Sequence, residues 1–86
     1  MQKLRGSAVF GANIRSLRLA AGLTQEQVAA KLQLSGFDVS RSIYSQMESG
    51  TYNIRVGELA ALRRIFGASF DDFFANISDV NGDGNS

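Results

Sequence analysis

Arg41, Ser42, Ser45 and Gln46 are residue types that can read nucleic-acid bases. A guanidinium can bond a guanine edge through two N–H groups, an amide can do the same for adenine, and a serine hydroxyl serves either. Such reading requires one exposed strip on a rigid element. A helix over 40–49, capped by Ser40, supplies it: Tyr44 and Met47 turn inward at a spacing of three and leave the polar set on the other faces. Other chemistry lacks its parts. The 86-residue chain has neither histidine nor cysteine, which excludes disulfides, thiolate metal centres and nucleophiles activated by imidazole. With no glycine-rich phosphate loop either, an enzyme is the least supported class, and neither cofactor nor metal is expected.

The reading helix must be positioned by its neighbours. In TQEQVAAKLQLSGFDVSRSIYSQMESG, residues 24–50, Thr24 can cap a helix while Gln27 reaches back to its free amide. Val28 and Leu32 then share a face, and the small Ala29 lets another helix cross closely. Gly36 can take the left-handed conformation that ends this helix. The stretch therefore predicts helix, turn, helix. Upstream, Phe10, Ile14, Leu17 and Ala21 recur at helical spacing between Ser7 and Ala21, before a stop at Gly22. Downstream, TYNIR turns the chain, with Asn53 or Thr51 as cap for a helix over 56–66 whose Val56, Leu59, Leu62, Ile65 and Phe66 form one face. Gly67 ends it and Ser69 caps a last helix, Phe70 to Ile77. Asp71 and Asp72 suit the positive end of that helix; being adjacent they point apart, unlike a paired-carboxylate site. The expected core is Ile14, Leu17, Val28, Leu32, Tyr44, Met47, Leu59, Leu62 and Phe66.

GLTQEQVA, the later S-x-x-x-Y-S-x-M-E-S-G, and the flanking FGANIRSLRLAAG and ELAALRRIFGASFDDFF make the chain resemble the lambda-repressor-like (Cro-type) helix-turn-helix domains of bacterial and phage regulators, over residues 10–74. The resemblance implies an all-α, compact five-helix fold: an N-terminal extension over 1–7, the domain over 8–77 and a tail over 78–86. It implies a cytoplasmic homodimer that binds double-stranded DNA sequence-specifically, as a small repressor or controller. Arg41, Ser42, Ser45 and Gln46 would read bases; Thr24, Gln25, Ser40, Thr51, Tyr52, Asn53 and Arg55 would hold phosphates. It also implies an ion pair between Arg18 and Glu48, whereas the residues alone allow Arg18 to be a solvated charge whose stem covers the core. The chain departs from the pattern twice. SGFDV lengthens the motif's turn by about five residues over the usual three or four, which bears on the aim of the second helix. Arg63 stands where the family prefers a small residue, so that edge of its helix is either more exposed or paired with an acid.

Net charge is +1, but Lys3, Arg5, Arg15, Arg18, Lys31 and Arg41 gather in residues 1–50, so the half with the motif is the positive one. Weak charge favours an alternative, a protein-interaction module of antitoxin or anti-regulator type on the same scaffold. The Arg41–Gln46 face opposes it, having no apolar patch for a protein partner. Phe70, Phe73, Phe74 and Ile77 exceed what a short helix needs, and sequence leaves open whether all pack inward or some form the dimer contact. DVNGDGNS imitates the first half of a calcium loop without its closing acid, and reads as a flexible acidic end. No segment has the length of a membrane span or the form of an export signal.

Overall fold

The computed structural model describes residues 7–77; the expectations for the N-terminal extension and for the tail with its calcium-like spacing concern residues outside that range. The described chain is all-α: α1 Ser7–Ala20, α2 Gln25–Leu34, α3 Arg41–Ser49, α4 Val56–Phe66 and α5 Phe70–Phe73. Side chains near their starts set where α2 to α5 begin. The Gln27 N–H donates to Thr24 Oγ1 at 3.1 Å while the Thr24 N–H donates to Gln27 Oε1 at 2.9 Å. Ser40 Oγ accepts from the Ile43 N–H at 3.1 Å, and Ser69 with Asp72 repeats the reciprocal pattern at α5. At α4 the sequence reading is corrected. Neither Thr51 nor Asn53 is the cap; Arg55 is, and since a guanidinium accepts nothing, Glu58 closes the start by accepting the Arg55 N–H at 2.9 Å.

Every residue of the expected core lies in one cluster, joined by Val39, Ala61 and Phe73. Beside it α1 passes close to the end of α3: a Cβ added to Gly11 would stand 2.3 Å from the Glu48 carbonyl oxygen, so only glycine lets the two backbones meet. Two apolar positions fall outside. Val56 is 85% exposed, and Ala21 is exposed one residue past the end of α1; each sits at the edge of its helix, where the apolar stripe has already left the core. The last helix is also shorter than its apolar run. α5 stops at Phe73, and Asn76 turns the chain away with φ of 64°. Asn13 Nδ2 donates to the carbonyls of Phe73 and Ala75 at 2.9 and 2.7 Å, satisfying acceptors that so short a helix leaves open.

The turn of residues 35–40 is six residues long, so it exceeds the usual three or four by two or three rather than by five, and it is built into the core. Gly36, at φ of 96°, donates to the Gln33 carbonyl and the Phe37 N–H donates to the Leu32 carbonyl, both at 3.0 Å. This paired closure ends α2 and drives Phe37 inward. The Phe37 ring covers Gly57 of α4, where an added Cβ would meet two ring carbons at 3.3 Å. Val39 is fully buried, and its carbonyl accepts from Gln33 Nε2 at 2.9 Å. Between these two anchors the Val39 N–H donates to the Phe37 carbonyl at 3.0 Å, a tight turn with Asp38 at its apex.

Candidate nucleic-acid interface

The face of α3 turned from the core carries Arg41, Ser42 and Gln46, all exposed, and Ser45, half-buried. Among the described residues their side chains are not taken up in hydrogen bonds or ion pairs within the chain, so their donors and acceptors stay free. Tyr44 and Met47 hold the opposite face, both buried. Ser40 caps through its oxygen and keeps its hydroxyl hydrogen; Thr24 at the start of α2 does the same.

The far end of α3 is fixed through one carboxylate. Glu48 Oε2 accepts from Arg18 Nε and from the Tyr44 hydroxyl, each at 2.6 Å; Glu48 Oε1 accepts from Gln25 Nε2 at 2.9 Å and from Arg18 Nη2 at 3.3 Å. Arg18 Nη1 donates onward to the Leu23 carbonyl at 3.0 Å. The pair is largely shielded, with side chains 10% and 5% exposed. Burial alone would raise the Glu48 carboxyl, but the bonds from Arg18, Tyr44 and Gln25 outweigh it and hold the group below the usual carboxylate range. The bond to Glu48 raises Arg18, and burial followed by the same carboxylate pushes the Tyr44 phenol far above its ordinary value. At neutral pH the set is one anion, one cation and two neutral donors.

The network also engages Gln25. One of its two amide N–H groups goes to Glu48, because the packing of α2 on α3 brings the first residue of one helix to the last turn of the other; no local pattern in the sequence marks that meeting, and among the described residues the second N–H is left for a phosphate. Tyr52 is reassigned. Its hydroxyl donates to Glu58 Oε2 at 2.9 Å, which leaves no hydrogen for a phosphate oxygen. The R-x-x-E spacing of Arg55 and Glu58 is the trace such a capping acid leaves. The Thr51 hydroxyl, just past the end of α3, lies 2.9 Å from that of Ser49 and 3.5 Å from the Gln46 carbonyl. Asn53 and Arg55 are exposed.

Phe73, at 0% exposure, fills the core and is removed from the expected dimer contact. Phe70 and Phe74 are 46% and 50% exposed, and Ile77 is half-buried. Phe74 packs on Phe10 with ring centroids 5.2 Å apart. With Ile54, Val56 and Ile77 these two rings line an open apolar groove of about 260 Å³. Arg63 meets an aromatic ring rather than an acid: its guanidinium carbon lies 5.2 Å from the centroid of Phe70, while its Nε is buried without a hydrogen-bond partner among the described residues. The described residues contain no group of three or more acids that could hold a metal, and no helix long and apolar enough to cross a membrane.

The sequence profile of the helix-turn-helix family matches residues 14–73. The fold is similar to the crystal structure of the restriction-modification controller protein C.AhdI from Aeromonas hydrophila, with a TM-score of 0.69 and 29% sequence identity over 80% of this chain and 93% of that one. No curated protein matches the chain.

Proposed function

Since the chain belongs to the helix-turn-helix family and is a DNA-binding transcriptional regulator, we propose that it acts as a two-fold dimer that inserts α3 of each subunit into the major groove. The observation that carries this reading is the strip of unspent polar groups on α3. Arg41 is suited to guanine and Gln46 to adenine, with Ser42 and Ser45 beside them. Within the phosphate-holding set Arg55 supplies the one full charge, helped by Asn53, the second amide N–H of Gln25, the hydroxyl hydrogens of Thr24 and Ser40, and the unpaired backbone amides at the start of α2. One short helix buries too little to be specific alone, so two must act together on half-sites about one helical turn apart. The groove lined by Phe10, Ile54, Val56, Phe74 and Ile77 offers the second copy an apolar seat.

Likeness to a restriction-modification controller supports the role of a small cytoplasmic repressor or controller. Selection of bound duplexes from a random pool at near-physiological salt, joined to sedimentation of the free protein, tests the reading. Recovered sites with dyad symmetry and a concentration-dependent dimer are expected. A monomer at every accessible concentration, with recovered sites that lack a dyad, would overturn it.

A further inference from the structure

The lengthened turn brings an exposed carboxylate to the leading end of the reading helix. Asp38 stands at the apex of the tight turn closed by the Val39 N–H and the Phe37 carbonyl, two residues before the Ser40 cap. Phe37 against Gly57 and Val39 in the core fix the backbone on both sides. Asp38 itself is exposed, and among the described residues it has no ionic partner, although Arg41 follows three positions later. Its place is therefore set by the fold, while its bonding capacity is unused.

An acid beside the start of a helix commonly serves the helix itself, through the positive end of its dipole. Here Ser40 already caps α3, and Asp38 bonds none of its amides. We propose that Asp38 is a specificity-determining residue, whose carboxylate accepts a hydrogen bond from the exocyclic amino group of a cytosine in each half-site. The inference rests on α3 entering the major groove by its N-terminal end. A carboxylate there meets a polyanion and is repelled unless a donor receives it. On the major-groove edge the amino donors belong to adenine and cytosine; adenine sets its N7 acceptor beside the amino group, against the second carboxylate oxygen, whereas cytosine presents no acceptor there. Three residues of backbone span at most about 10 Å, so even with side-chain reach added this cytosine lies within a few base pairs of the guanine read by Arg41.

The test is duplex selection with the full chain and with Asp38→Ala, Asp38→Asn and Arg41→Ala, all at one salt concentration. The unaltered chain should recover a cytosine at fixed distance from the guanine in each half-site. Asp38→Ala should lower discrimination at that position alone by about tenfold, and Asp38→Asn should move the preference to adenine, which an amide matches with one donor and one acceptor. If both Asp38 variants recover the same sites and bind them all more tightly, Asp38 merely repels the backbone and the proposal falls. Arg41→Ala separates the two readings: when it changes the recovered sites and the Asp38 variants do not, only the role of Asp38 is lost. When none of the variants changes them, the reading of α3 is lost as well.

Discussion

Gln25 Nε2 donates to Glu48 Oε1 at 2.9 Å, so the first residue of α2 and the last turn of α3 meet on the carboxylate that also receives Arg18 of α1. Three helices are thus registered at one point, where a single charged group adds to the apolar packing that sets their angles.

Removing either member of the Arg18–Glu48 pair strands a shielded charge, a loss that reaches about 3–5 kcal/mol in buried pairs. Denaturant unfolding of Arg18→Met, Glu48→Leu and the double variant should therefore show strong coupling, with the double variant far more stable than the sum of the two losses implies. Additive losses would mean that the two side chains do not interact in solution.

The same carboxylate makes stability depend on pH. Because its folded value is lowered, the contribution is fully present above the ordinary glutamate value near 4.3 and is lost as pH falls through the lower folded value. Unfolding midpoints should hold from neutral pH to about 5 and then drop on further acidification. Glu48→Gln should be less stable at neutral pH and flatter across the acid window. A parallel decline in both proteins would assign the acid sensitivity to other carboxylates.

Glycine inside a helix is ordinarily improved by alanine, by about 1 kcal/mol. Gly11→Ala should do the opposite, because its Cβ would lie 2.3 Å from the Glu48 carbonyl oxygen and 2.9 Å from that of Met47, both backbone atoms that cannot step aside. A net loss of about 1–3 kcal/mol is expected in urea unfolding. Gly57→Ala meets only the edge of the Phe37 ring at 3.3 Å and should cost less.

Base-reading and phosphate-holding residues should fail differently. Arg41→Ala should weaken binding to a selected site by about 1–3 kcal/mol and relax preference at one base pair of each half-site, with Gln46→Ala a weaker version. Arg55→Ala should weaken all duplexes alike and shallow the salt dependence by about one phosphate contact. Fluorescence titrations at several salt concentrations, on selected and scrambled duplexes, separate the two. Unchanged affinity and preference in Arg41→Ala and Gln46→Ala would remove this face of α3 from the groove.

The starts of α2, α3 and α5, the apolar stripe and the polar strip of α3 were legible because each is written in residues a few positions apart. Thr24 with Gln27, Val28 with Leu32 and Tyr44 with Met47 are local relationships, and periodicity exposes them. What depended on packing between helices was not legible. The bond from Gln25 to Glu48 appears only when α2 lies against the end of α3, and Tyr52 looked like a loop donor until Glu58 turned back to it. Phe73 and Phe74 are neighbours of the same type, and only the end of α5 sends one into the core and leaves the other on the surface. Val39 and Phe37 read as parts of a turn, yet their burial is why the insertion is ordered.

Those two residues also bear on the DNA. Phe37 against Gly57 secures the leading end of α3, and Glu48 against Arg18 secures the trailing end. A helix pinned at both ends cannot swivel to suit a site, so two such helices in a dimer would present a fixed separation and tilt. Any mismatch with the half-sites must then be absorbed by bending or retwisting the duplex between them, at an energy set by the stiffness of steps the protein never touches. Exchanging pliant pyrimidine–purine steps at the centre of the operator for a stiff A-tract should therefore alter affinity with every contacted base pair unchanged.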